Sequence, residues 1–225
     1  MIIDTVVFDV GETLVDETRH WGEWADWMGV PRLTFFAVFG DVVAKGEHHR
    51  QVFQRLRPGF DVDQATARRK AEGWRYRFEP GDFYADALPC LAALRAGGYR
   101  IGLAGNQPEE AEAALAAVGV AADFIASSAR WGVEKPAPAF FERVIEAADR
   151  PAGQIAYVGD RLDNDVLPAA EAGMAAVFIR RGPWGYLHAA RPEAARAAAR
   201  IESLSDLPNI LAGLGEDDGR QTRAR

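Results

Sequence analysis

"VVFDVGETLVDE", residues 6–17, decides how the rest of the chain is read. Val6, Val7 and Phe8 run into Asp9, a glycine turn follows, and Thr13 and Leu14 close it. A short apolar run of this kind is a buried strand. A strand that delivers one carboxylate onto a tight turn presents that carboxylate to a ligand. The next acidic residue is Glu12, and position 11 is a glycine; the chemistry of the stretch turns on that spacing.

Working outward, four more apolar runs have strand character: "RIGLAG" (100–105), "DFIAS" (123–127), "QIAYVGD" (154–160) and "AAVFI" (175–179). Between them lie "ADALPCLAALRAGG", "PEEAEAALAAVG", "APAFFERVIEAA" and "DNDVLPAAEAG". These repeat apolar residues every three or four positions and stop at Gly97, Gly119 and Gly173, the pattern of helices with glycine stops. Strand-helix alternation with short connections predicts an α/β core, a doubly wound, Rossmann-like parallel sheet covered on both faces. The core is expected from residues 1–15 and 86–214. In such sheets ligands bind beyond the carboxyl ends of the strands, where Asp9, Gly105, Asn106 and Asp160 all fall.

Residues 16–85 break the alternation. Trp21, Trp24, Trp27, Phe35, Phe36, Phe39, Phe53, Trp74, Tyr76 and Phe78 recur there at helical spacing, with no strand pattern. The stretch is expected to be a helical cap inserted after the first strand, a lid whose aromatics mostly form its own core. Trp21 and Trp24, soon after the Asp9 turn, are the two expected to face a substrate. The polar tail, residues 215–225, is expected to be disordered.

Composition narrows the class of partner. Acidic residues outnumber basic ones, 33 to 26, which argues against a nucleic-acid or anionic membrane surface. Arg68-Arg69-Lys70 is a local cluster that a solvated helix face explains. The one cysteine, Cys90, sits among Leu88, Pro89 and Leu91 and behaves as a small buried hydrophobe. The first apolar run carries Asp4 and Asp9, unlike a secretory signal. No apolar run approaches the roughly 20 residues of a membrane span. The expectation is a cytoplasmic protein with a small-molecule substrate, no nucleic acid and no membrane; nothing in the sequence points to an oligomeric state.

Four pieces converge on the strand ends. Asp9 closes the first strand, and Asn106 follows the second in "GLAGNQP". Lys135 lies in "GVEKPAP", where two prolines start the next helix at a fixed place. Asp160, Asn164 and Asp165 lie in "VGDRLDNDV", at a strand-to-helix turn. Three carboxylates crowded together repel one another unless a cation joins them. Hard oxygen ligands at a strand end suit Mg²⁺. Alone, each piece has a bland reading: a turn cap, a common Gly-Asp pair, a solvated lysine. Their order and shared position make the set specific.

The set resembles the haloacid dehalogenase (HAD) superfamily of hydrolases, in the form with a helical cap inserted after the first motif. "FDVGETL", "GNQP", "VEKPAPAFF" and "YVGDRLDNDVLPAAEAGM" carry the resemblance over nearly the whole chain. It implies that Asp9 is a nucleophile that takes a phosphoryl group as an aspartyl-phosphate. It implies Mg²⁺ held by Asp9, Asp160, Asp165 and the carbonyl of Gly11, with Thr13, Gly105, Asn106 and Lys135 around the phosphate. Two positions depart from the family pattern. The usual first motif is Asp-x-Asp-x-Thr, whose second aspartate protonates the leaving group; here that position is Gly11, with Glu12 one step beyond. The second motif usually offers Ser or Thr; here Gly105 has only its N–H, and Asn106 has an amide to donate instead.

The resemblance leads first to a Mg²⁺-dependent phosphatase of a small phosphorylated metabolite. A HAD-fold binding or regulatory protein, having shed its acid-base group, ranks second. A dehalogenase ranks third: that branch also lacks the second aspartate, but it replaces the first acidic residue of the last motif, which this chain retains as Asp160.

Overall fold

The structure is a computed structural model that describes residues 2–221. Six strands form one sheet: β1 (Thr5–Phe8), β2 (Arg100–Gly105), β3 (Phe124–Ser127), β4 (Ile155–Gly159), β5 (Ala175–Ile179) and β6 (Ala199–Ile201). Their order is β3-β2-β1-β4-β5-β6, and every neighbouring pair is parallel. The register sets Phe8 opposite Leu103 on one side and Val158 on the other. The chain winds away from β1 in both directions, so the reversal of strand order lies between β1 and β4. That is where an open parallel sheet leaves a crevice for a ligand.

Period-2 alternation along the strands divides the core into two layers. Val6, Phe8, Ile101, Leu103, Val158 and Val177 face one side. Val7, Ala104, Ile155, Tyr157, Ala176 and Phe178 face the other. Among the described residues seven α-helices pack with the sheet: Ala87–Ala96, Glu110–Ala117, Ser128–Trp131, Pro138–Ala148, Leu167–Glu171, Gly182–His188 and Leu207–Gln221. Leu91 and Leu94 cover the first layer with Leu207 and Leu211, and Phe140, Phe141, Val144 and Ala148 cover the second. Both faces are thus buried, which is why these strands are continuous apolar runs rather than alternating ones. The three-residue β6 has no such run in the sequence; its Arg200 is exposed, and only the pairing with β5 makes it a strand.

The chain divides into two compact units, Met1–Asp16 with Phe78–Arg225, and Glu17–Arg77. Residues 78–85 fall with the sheet, because Phe78, Phe83 and Tyr84 pack into its first layer. The second unit holds four helices, Thr18–Met28, Arg32–Ala44, Gln51–Leu56 and Val62–Ala71, and no strand among the described residues. Trp24, Phe35, Phe39 and Phe53 are buried in its own core, and Trp21 lies 4.8 Å, ring to ring, from Phe39. The expectation that Trp24 faces a ligand is therefore corrected: it is a core residue, stacked edge-on with Phe53 at 4.9 Å. Arg69 is also corrected, since it is buried rather than solvated, while Arg68 and Lys70 are exposed. Its guanidinium lies 4.1 Å from the Trp24 ring and 4.5 Å from the Trp74 ring.

Among the described residues no single helix is long and apolar enough to cross a membrane. The expected disordered tail from 215 lies partly in the last helix, which runs to Gln221, and residues 222–225 lie outside the described residues.

Candidate active site

Asp9 leaves β1 with its N–H donated to the carbonyl of Val158 at 2.9 Å. The chain then folds back on one carbonyl: Val10 O accepts from Leu14 N at 2.9 Å and from Val15 N at 3.0 Å. Glu12 has left-handed backbone, φ 54°, which costs a residue with a Cβ about 1 kcal/mol or more. Its N–H donates to Val15 O at 2.7 Å, and Gly11 bridges Val15. The Glu12 side chain is buried, and its Oε2 accepts a 2.6 Å bond from the Tyr84 hydroxyl.

Lys135 is brought to Asp9 from the loop before the helix Pro138–Ala148. Lys135 is 4% exposed, and its ammonium lies 2.7 Å from Asp9 Oδ1 and 2.6 Å from Asp165 Oδ1. Burial alone lowers a lysine pKa, but Asp165 and Asp9 outweigh it here and hold the group charged well above its ordinary range. Asn106 fixes the backbone of Lys135 in both directions: Nδ2 donates to Lys135 O at 2.9 Å, and Oδ1 accepts from Lys135 N at 2.8 Å. One amide hydrogen of Asn106 is used there, leaving the second for another acceptor.

The last acidic pair descends from β4. Asp165 is fully buried and accepts from Arg161 N through Oδ2 at 3.1 Å. It reaches inward because position 159 is glycine, where a Cβ would lie 2.4 Å from the Cβ of Asp165. Burial pushes its carboxyl up to about 6, with Lys135 opposing and Asp9 reinforcing the rise. Asp160 is 1% exposed, and its Oδ2 has no hydrogen-bond partner. Burial first, then Asp165, Asp9 and Glu12, drive its carboxyl well above the ordinary carboxylate range.

One carboxylate oxygen each from Asp9, Asp160 and Asp165 lies within 4.8 Å of the others. With all three carboxylates ionised, the single ammonium of Lys135 would leave a deficit of two positive charges in a buried site, and the raised Asp160 and Asp165 carboxyls reflect that crowding. An orphaned carboxylate oxygen, that charge deficit and an all-oxygen donor set fit a hard divalent cation.

The structure thus brings Asp9, Lys135, Asn106, Asp160 and Asp165 to one end of the sheet. Gly105 ends β2 against them: a Cβ there would lie 2.6 Å from Asp9 Oδ1. Thr13 is fully buried and its hydroxyl has no hydrogen-bond partner, while its carbonyl accepts from Arg181 Nη1 at 3.0 Å. Sequence reading missed three residues behind the site. Arg181 and Tyr84 brace the Asp9 turn. His188 accepts from Leu162 N at 3.1 Å through Nδ1 and so caps the turn that carries Asp160 and Asp165. Burial pulls its pKa down to about 4, and the imidazole is neutral. A buried histidine, arginine or tyrosine so far away in sequence leaves no periodic trace.

Residues 3–173 match the haloacid dehalogenase-like hydrolase family. A glyceraldehyde 3-phosphate phosphatase from Methanopyrus kandleri is 40% identical over 111 residues, which cover 45% of each chain. This chain therefore spans under half the length of that relative. A plasmid phosphoglycolate phosphatase from Cupriavidus necator is 30% identical over 223 residues, 92% of each chain. Among solved structures, a 2-haloacid dehalogenase from Pseudomonas syringae superposes with a TM-score of 0.56 at 24% identity, covering 94% of this chain and 99% of that one.

Proposed function

The chain belongs to the haloacid dehalogenase-like hydrolase family, and from that premise we propose that it is a Mg²⁺-dependent phosphatase of a small phosphorylated metabolite. The observation that carries this reading is the buried cluster in which Lys135 joins Asp9 to Asp165 while Asp160 keeps an unpartnered oxygen. The phosphatase relatives support the substrate class, since their names specify small phosphate esters.

Asp9 is the nucleophile of this reading. Its carboxylate attacks phosphorus, the bond from phosphorus to the leaving oxygen breaks, and the phosphoryl group rests on Asp9 until water hydrolyses it. Lys135 holds Asp9 Oδ1, orients the other oxygen toward the substrate and adds positive charge beside the transferring group. Asp9, Asp160, Asp165 and the Gly11 carbonyl would hold Mg²⁺, which when bound supplies charge neutralisation for an anionic substrate approaching carboxylates. Thr13, Gly105 and Asn106 line the phosphate side of the site. We read the helical unit Glu17–Arg77 as the cap of this fold and the cytoplasm as its setting.

The dehalogenase reading, in which Asp9 attacks carbon without a metal, runs against Asp160. A metal-free site would leave the buried Asp160 Oδ2 with no partner, which a bound cation would supply. The similarity to a solved dehalogenase lies at the level of fold, and folds host many activities.

Phosphate release from a panel of small phosphate esters, with Mg²⁺ and with chelator, tests the proposal. Release that needs Mg²⁺ and vanishes in Asp9→Asn is the expected result. No release from any ester would remove the phosphatase reading, and release surviving Asp9→Asn would remove the aspartyl-phosphate.

A further inference from the structure

An acidic residue occupies a left-handed position in the turn beside the nucleophile, where the position expected to carry an acid is Gly11. The surroundings of Glu12 explain its presence. Its Oε2 takes the Tyr84 hydroxyl at 2.6 Å, and Tyr84 N donates to Leu14 O at 3.0 Å, so Tyr84 grips the turn by side chain and backbone together. The carboxylate lies over Gly182, where an added Cβ would stand 2.5 Å from Oε2 and 2.6 Å from the Glu12 Cβ. Gly182 leaves room for the acid, and its own φ of 62° already demands glycine.

The next residue back continues the brace. Arg181 is 7% exposed and donates from Nη1 to Thr13 O at 3.0 Å. It also pairs with Asp86 through both arms, at 3.0 and 2.6 Å, and its guanidinium lies 4.3 Å from the Tyr84 ring. Asp86 is held in turn by Ser203 Oγ at 2.7 Å and Leu204 N at 2.9 Å. Three separate segments thus converge on the back of one turn.

We propose that Glu12 is a positioning residue, not the missing acid: with Tyr84, Arg181 and Asp86 it holds the left-handed turn that presents Asp9 and the Gly11 carbonyl. The Glu12–Tyr84 bond joins a carboxylate to a phenol in a buried place, a charge-assisted bond of the stronger kind. It offsets the unfavourable backbone at position 12. The spacing Asp-x-Gly-Glu-Thr and the pair Arg181-Gly182 are then one device, the glycine at 182 making the glutamate at 12 possible.

The kinetic arm of the test rests on the phosphatase reading; the exchange arm does not. Steady-state rates are measured on p-nitrophenyl phosphate and on glycerol 2-phosphate for Glu12→Gln, Glu12→Ala, Tyr84→Phe and Arg181→Lys. Amide hydrogen exchange at residues 10–15 is followed in the same proteins. Gln keeps an oxygen for the Tyr84 hydroxyl, so Glu12→Gln should stay within about threefold of the native kcat on both esters. Glu12→Ala and Tyr84→Phe should lower kcat by about ten- to a hundredfold, by the same factor on both esters, with faster exchange in the turn. Arg181→Lys loses the two-armed contact with Asp86 and should fall in the same direction. Loss of activity in Glu12→Gln on the alkyl ester alone would make Glu12 the acid and overturn the proposal. Unchanged exchange in Glu12→Ala and Tyr84→Phe would overturn it too, and if the native protein hydrolyses neither ester, exchange alone decides.

Discussion

Gly105 and Asp9 share a space too small for a side chain at position 105: a Cβ there would stand 2.6 Å from the Asp9 carboxylate oxygen that Lys135 holds. Contacts that short are not sustained, so a larger residue must move the carboxylate. Restoring the family's usual hydroxyl with Gly105→Ser should therefore harm the enzyme. Displacing a nucleophile by about 1 Å costs on the order of a hundredfold in rate. Steady-state kinetics, with circular dichroism to confirm an intact fold, would decide it; a gain in kcat would mean that the crowding around Asp9 is not limiting.

Asp160→Asn separates the charge deficit from the fold. The substitution removes one of the charges in the cluster and keeps the shape. Mg²⁺ binding by calorimetry should be abolished or greatly weakened. In chelator the variant should melt higher, because a buried unpaired carboxylate is destabilising; a gain of about 1–2 kcal/mol is expected, or about 2–8 °C in a chain of this size. Unchanged Mg²⁺ affinity would remove Asp160 from the metal site.

His188 gives a pH signature. Its pKa is about 4 in the fold against an ordinary 6.5, so between those values the unfolded chain binds the extra proton and the folded one does not. Stability then rises with pH through that window and is lost as pH falls from 6.5 toward 4. Asp165 works oppositely: its carboxyl, raised from 3.8 to about 6, makes stability fall as pH rises from 3.8 to 6. The two oppose each other in the native protein, Asp160 adds to the carboxylate side, and His188→Gln should expose that slope more fully. Urea unfolding from pH 4 to 7 should show the native protein gaining on the variant as pH rises, by up to roughly 3 kcal/mol. A difference that is flat across the window would mean that His188 is not buried as a neutral acceptor.

How far the sequence could be read follows from what each residue answers to. β1, β2, β4 and β5 were legible because both faces of a parallel strand are buried and leave unbroken apolar runs. Asp9, Lys135, Asp160 and Asp165 were legible as a set because strand ends collect them, whatever lies between in sequence. β6 was not, since three residues around an exposed arginine carry no period. Nor was the brace, because Arg181 meets Thr13 and Asp86 across long stretches of chain and a lone arginine gives no hint of burial. Arg69 misled for the same reason, its neighbours Arg68 and Lys70 being ordinary surface charges.

Arg69 and Arg68 are adjacent and should differ sharply on truncation. Arg69 fills the gap between Trp24 and Trp74, with Glu23 Oε2 at 3.7 Å, and burial lowers its pKa. Arg69→Ala loses that packing and leaves Glu23 less well compensated, at a cost of about 2–4 kcal/mol. Arg68→Ala, exposed beside Glu72, should change stability by no more than about 0.5 kcal/mol. Denaturant unfolding of the two variants checks this, and equal effects would mean the aromatic stack does not depend on its cation.

The missing acid should be visible in the choice of leaving group. Gly11 has no side chain to donate a proton, and Glu12, with its carboxylate bonded to Tyr84, is argued above to be structural. A leaving oxygen must then depart largely unprotonated, so rates should depend steeply on leaving-group pKa. p-Nitrophenyl phosphate should react much faster than an alkyl phosphate. A general acid contributes about 10²–10⁴ in rate. Gly11→Asp should therefore narrow the gap by raising the alkyl rate within that range while moving the aryl rate little. The turn tolerates the change if the new side chain clears Val15, which bridges position 11. Asp9→Asn should abolish both activities, because the nucleophile serves every leaving group alike. Equal native rates on aryl and alkyl esters would mean that another group supplies the proton, and the acidic residues of the segment Glu17–Arg77 would then be the ones to substitute.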